Sequence, residues 1–157
     1  GAFESGTGDY VTLFEPTASA FAAQGKGHIV TNMGLESGEV PYTTFMMRKD
    51  TIENEPGFAA AFVRAIYRAQ KWVWAAGDEE VAYAMQSYFP DTDIATLSAV
   101  AKSYRATDSW TKVPTMTEDA FTRLQDILDG AGELAARIEL SELVDNSFGE
   151  AAISEIG

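Results

Sequence analysis

The sequence has no cysteine and a single histidine, His28. The first absence excludes disulfides, thiolate nucleophiles and zinc-thiolate sites, and it leaves the redox compartment unreported by cysteine usage. The second excludes every site that needs two imidazoles, so that only a carboxylate-rich metal site stays chemically open. Cationic residues are also scarce: 11 Lys and Arg face 24 Asp and Glu, for a formal charge of −13. So acidic a chain repels phosphate backbones and anionic lipid, and no basic patch interrupts it, which excludes nucleic acid as the expected partner. Long apolar runs are missing too. The longest, Phe58 to Val63, falls far short of the roughly 20 residues that span a bilayer. The chain begins at Gly1 without the charged start and apolar stretch of a secretion signal, and is expected to be processed or cut from something longer.

What is present suffices for a core. An apolar fraction of 46% in 157 residues, with 3 Trp, 6 Tyr and 9 Phe, argues for a folded chain of one-domain length rather than a disordered one. There is no internal repeat of fixed period and no low-complexity stretch.

The first 50 residues differ in texture from the remainder. Tyr10 to Phe14 is a short β-branched and aromatic run suited to a buried strand, and Glu15-Pro16-Thr17 follows it directly. Pro16 fits the first turn of a helix through Ala18 to Gln24, which Gly25-Lys26-Gly27 should close. His28 to Met33 reads as a second strand. Gly34 to Glu39 reads as a flexible polar loop, and Val40 to Arg48 as a third extended segment, with Pro41 near its start.

From Asn54 onward the pattern is helical. Asn54 is placed to cap a helix with Pro56 just inside it, and Phe58, Phe62, Ile66, Ala69 and Val73 recur on one face. Asp78-Glu79-Glu80 suits the first turn of the next helix, in which Val81, Ala84, Met85 and Tyr88 continue until Pro90 stops it. A further helix is expected from about Asp93 to Tyr104. Thr115 with Glu118 has capping-box spacing ahead of Phe121, Leu124, Ile127 and Leu128, a stripe ending at Gly130-Ala131-Gly132. Ser147 with Glu150 repeats the device.

The search for catalytic chemistry is mostly negative. Asp78-Glu79-Glu80 is better explained by the helix dipole than by a metal, and His28 by packing or exposure than by general-base work. Gly34-Leu35-Glu36-Ser37-Gly38 places its serine one position too late for a nucleophile elbow. Gly25-Lys26-Gly27 lacks the upstream glycine, and the Ser or Thr after Lys, of a phosphate-cradling loop. What survives is a binding geometry. Glu15-Pro16-Thr17 stands where a strand gives way to a helix, the place where α/β proteins gather ligands, with Ser37-Gly38 and Pro41-Tyr42-Thr43 as neighbours. The competing reading is that Glu15 caps its helix, Pro16 sets φ and Tyr42 is core.

Phe14-Glu15-Pro16-Thr17-Ala18-Ser19-Ala20, Gly25-Lys26-Gly27, Val40 to Phe45 and Leu143 to Phe148, in that order and spacing, resemble the nitrate/sulfonate/taurine-type substrate-binding proteins of ABC transporters, a group that includes binders of thiamine pyrimidine precursors. The resemblance spans nearly the whole chain and matches the C-terminal half of that family. It implies an α/β chain, the C-terminal half of a two-lobed type II periplasmic-binding-protein fold, helix-rich with a few strands near the N-terminus. On that basis residues 1–33 are the last segment of lobe two, 34–48 the returning hinge and 49–157 the helical part of lobe one. Glu15 and Thr17 would face the cleft from lobe two, Tyr42 and Thr43 from the hinge, with Ser37 and Gly38 beside them.

The implied mechanism is capture of a small solute by lobe closure, with delivery to a membrane permease; ATP is hydrolysed by another subunit, so neither cofactor nor metal is expected. The solute would be a sulfonate, a nitrate-like anion or a thiamine pyrimidine precursor. The location would be extracytoplasmic, periplasmic or lipid-anchored. An enzyme of the same superfamily, the pyrimidine synthase of thiamine biosynthesis, carries a cysteine-rich run just after the strand equivalent to His28 to Met33; Gly34 to Thr44 has none, which favours binding over catalysis. A helical interaction module without a ligand is the third alternative. Strands without their sheet neighbours would leave open edges, so self-association is also expected.

Overall fold

The computed structural model describes residues 1–157. Nine α-helices follow one another: α1 Thr17–Ala23, α2 Met33–Ser37, α3 Lys49–Asn54, α4 Pro56–Ala75, α5 Asp78–Met85, α6 Ile94–Ala106, α7 Glu118–Gly130, α8 Leu140–Leu143 and α9 Ser147–Ile156, with one 3-10 turn at Gln86–Tyr88. There is no strand. The expected strands at Tyr10 to Phe14, His28 to Met33 and Val40 to Arg48 are corrected accordingly: Met33 opens α2 and the rest is irregular. The reason is physical. A strand is stabilised by pairing with another strand, and these apolar segments have none here. Tyr10 is 80% exposed, Val30 72% and Met46 92%, the opposite of a buried sheet. The polar stretch expected as a loop after Met33 instead winds into α2 as far as Ser37. The architecture is therefore helix-rich, without the α/β alternation that the sequence suggested.

The chain divides into two compact units. The first comprises Gly1–Asn32 and Ala76–Ser109. Its core is the contact of α5 with α6, where Val81, Ala82, Leu97, Val100 and Ala101 are buried. Arg105, in the last turn of α6, pairs with Asp78 in the first turn of α5 and donates to the Ala76 carbonyl at 2.7 Å, tying the two helices at one end. Asp93 caps α6 by accepting the Thr96 N–H at 2.8 Å. Helix α1 rests on α6 and ends as expected: the Lys26 N–H reaches back to the Phe21 carbonyl at 3.0 Å across Gly25.

The second unit comprises Met33–Ala75 and Trp110–Gly157. Pro56 is the first residue of α4, as expected, but Asn54 ends α3 instead of capping α4, and its amide donates to the Asp50 carbonyl at 2.7 Å. The buried side of α4 carries Ala59 and Tyr67, with Phe62, Val63, Ile66 and Trp74 half-buried, while Phe58 and Ala69 face outward. Of the expected stripe, Phe62, Ile66 and Val73 are thus on the buried side, and Phe58 and Ala69 depart from it. Helix α9 packs on α4, and the buried Gly149 of α9 lies so close to Pro114 that an added Cβ would sit 2.4 Å from its carbonyl oxygen. The cap of α7 is Thr117, whose hydroxyl accepts the Ala120 N–H at 3.2 Å, rather than Thr115. Asn146 precedes α9, and no Ser147–Glu150 box forms.

Two amide side chains substitute for backbone partners in this unit. Gln125, buried in α7, accepts the Ile138 N–H at 2.9 Å and donates to the Ile138 carbonyl at 3.2 Å. Asn146 does the same for Met116, at 3.0 and 2.9 Å. Each ties an irregular segment to a helix, Gln125 to the middle of α7 and Asn146 to the start of α9, by satisfying both the N–H and the carbonyl of one residue.

Candidate functional site

The head of α1 is built by Glu15 and Pro16. Pro16 stands just before the helix with φ −85°, and the Glu15–Pro16 peptide is cis. The half-buried Glu15 carboxylate turns back onto the helix: Oε2 accepts the Ser19 N–H at 3.0 Å and Oε1 the Ser19 hydroxyl at 2.9 Å. That N–H is one of the donors a helix start leaves without an internal partner, and a carboxylate there is further favoured by the dipole. Burial pushes the Tyr104 phenol up, and the negative charge of Glu15 adds to it.

Beside this head lies a groove of about 460 Å³ within the first unit. Thr17, Ala20 and Phe21 of α1 form one wall; Asp91, Thr92 and the capped start of α6 at Asp93 and Thr96 form the other. Lys26 closes one end. Its ammonium is paired with Glu4 and lies 5.3 Å from the centre of the Phe21 ring. Hydrogen bonds from the Thr96 N–H and hydroxyl hold the Asp93 carboxyl below its ordinary range. The groove has the size of a small-molecule site, and its polar side chains are hydroxyls, carboxylates and the Gln24 amide, with a single cation, Lys26, that Glu4 already pairs.

The remaining expected ligand contacts belong to the second unit. Ser37 ends α2 and donates its hydroxyl to the Gly38 carbonyl at 3.1 Å. Gly38 has φ +77°, a region that favours glycine, and the guanidinium of Arg123 lies against it. Arg123 Nη1 donates to the Glu39 carbonyl at 2.7 Å. Tyr42 is 79% exposed, which rules out the core reading, and Thr43 is exposed beside it. Of the six expected residues, then, Glu15 and Thr17 stand at the head of α1, while Ser37 ends α2 and Gly38, Tyr42 and Thr43 follow it in the irregular segment.

Sequence reading missed the second wall of the groove. Pro90-Asp91-Thr92-Asp93 is legible as a helix stop followed by a helix start, yet nothing local shows that it lies opposite Thr17. Arg123 was missed for the same reason, its partner being 84 residues away.

Residues 1–87 match the model of the NMT1-like family. The chain is 41% identical over 154 residues to a Bacillus subtilis (strain 168) protein named "Putative binding protein YtlA", an alignment that covers 98% of this chain and 46% of that protein. The chain thus spans about half the length of the curated relative it matches. No solved structure matches it.

Proposed function

We propose a function from one premise: this chain belongs to the NMT1-like family, and its role is solute binding. The observation that carries the reading is the extent of the family match, whose 87 residues include Glu15, Thr17, Ser37, Gly38, Tyr42 and Thr43. The intact protein captures a small solute outside the cytoplasmic membrane and presents it to the permease of an ABC transporter. No helix here is long and apolar enough to cross a membrane. Residues 1–33, 34–48 and 49–157 act as the last part of one lobe, the hinge and the helical part of the other, and closure traps the solute. Exposed Tyr10, Phe14, Val30, Phe45 and Met46 are the surfaces through which copies of this chain would self-associate.

The groove supports a choice among the solutes. Hydroxyls of Thr17 and Thr92 beside the carboxylate of Asp91 accept hydrogen bonds from N–H groups, whereas nitrate or a sulfonate would meet like charge in a chain of −13. An amine-bearing heterocycle such as an aminopyrimidine fits that lining best. Calorimetric titration of an aminopyrimidine into wild type, Thr17→Val and Thr92→Val tests the assignment, with Thr111→Val as a control away from the groove. Each groove variant should lose about tenfold in affinity, the effect of one hydrogen bond. Unchanged affinity in both would remove these residues from the site.

A further inference from the structure

We infer that Arg123 is a positioning residue, a latch that fixes the backbone at Gly38 and Glu39 and so sets the path of the segment presenting Tyr42 and Thr43. The inference rests on the proposed reading of that segment as the hinge that brings those two side chains to a solute.

Residues 39–48 form neither helix nor strand, so side-chain anchors must hold them in place. Two anchors are visible, and they bracket the tip. On one side Arg123, from the middle of the 13-residue helix α7, donates to the Glu39 carbonyl at 2.7 Å. On the other, the Phe45 ring meets Phe62 of α4 edge-on, with centroids 5.1 Å apart. Tyr42 and Thr43 stand exposed between these points.

The Arg123 contact is specific in charge and in shape. Arg48, Arg64, Arg105 and Arg137 each pair with a carboxylate, whereas Arg123 gives its hydrogen bond to a peptide carbonyl. Its guanidinium lies close enough to Gly38 that an added Cβ would meet Cζ and Nε, each at 3.2 Å. Glycine at position 38 thus serves both the backbone, at φ +77°, and the seat of the guanidinium. A charged donor on a neutral acceptor is among the stronger hydrogen bonds a protein makes, and a lysine can supply the charge and one donor without the planar fork.

The test is limited proteolysis of this chain with chymotrypsin, comparing wild type, Arg123→Ala and Arg123→Lys, with circular dichroism to check that each is folded. Cleavage after Tyr42 and Phe45 reports on the segment; cleavage after the exposed Tyr88 serves as the internal reference. Loss of one charge-assisted hydrogen bond should speed cleavage after Tyr42 and Phe45 about tenfold in Arg123→Ala, with cleavage after Tyr88 unchanged and partial rescue in Arg123→Lys. Equal acceleration at Tyr42 and Tyr88, or none at either, overturns the latch. Selective acceleration alongside a solute panel that stays silent keeps the latch and defeats the solute reading, so the two fail separately.

Discussion

Glu15 grips Ser19 by both of its hydrogen-bonding groups, one carboxylate oxygen on the N–H at 3.0 Å and the other on the hydroxyl at 2.9 Å. One of the residues expected to meet a solute is therefore also the acceptor that holds the start of α1. A carboxylate so held is pre-set in position, and its role in any binding event begins from that fixed geometry.

Glu15→Ala should cost about 1 kcal/mol, the usual loss on removing a helix N-terminal acceptor. Ser19→Ala, which spares the N–H contact, should cost less. Urea titration followed by circular dichroism reads both. A Glu15→Ala variant as stable as wild type would mean that the cap contributes nothing.

The α6 cap predicts a pH dependence. Asp93 has its carboxyl held below its ordinary value of 3.8 by the Thr96 N–H and hydroxyl. A depressed folded pKa adds stability that is complete above the unfolded value and is lost as pH falls below it, through the folded pKa. Asp93→Asn keeps a good cap acceptor but cannot titrate. Wild type should therefore lose urea resistance faster than Asp93→Asn as pH drops from 5 to below about 4, the unfolded aspartate value. Parallel pH profiles would contradict the assignment.

Gly149→Ala runs against ordinary propensity. Alanine is the better helix former by about 1 kcal/mol, yet the new methyl would stand 2.4 Å from the Pro114 carbonyl oxygen and 2.8 Å from Thr115 Cγ2. Overpacking should win, with a net loss of about 2 kcal/mol in chemical denaturation. A gain in stability would show that α9 is free to shift from this seat.

Gln125→Ala should cost about 2 kcal/mol, because it removes a buried side chain that partners both the N–H and the carbonyl of Ile138. Gln125→Glu keeps the acceptor for the Ile138 N–H but loses the donor to its carbonyl, and should also destabilise. Equilibrium unfolding at neutral pH measures both, and a neutral Gln125→Ala would mean that water replaces the amide.

Local signals are legible in the sequence and long-range ones are not. The helix at Pro56, the acidic first turn at Asp78, the start of α6 at Asp93 and the glycine stop after α1 all depend on neighbours within about one turn. The strands failed because pairing is non-local: Tyr10 to Phe14 and Val40 to Arg48 have the composition of strands but no partner strand. On α4, Phe62, Ile66 and Val73 face inward as expected, whereas Phe58 and Ala69 do not, because the helix α9 that packs there lies about 80 residues further on in the chain. Glu15 and Thr17 could be singled out by motif, whereas Asp91 and Arg123 could be found only once the fold placed them.

Thermal melting of the full-length product of the gene that encodes this chain, against alkanesulfonates, nitrate, aminopyrimidines and small aromatic acids, is the most direct test of solute binding. A ligand that binds only the folded state raises the midpoint, by an amount set by its concentration relative to Kd. The aminopyrimidines should raise it and the anions should leave it unmoved. A cooperative melt that none of the four classes shifts would contradict solute capture and favour a helical interaction module.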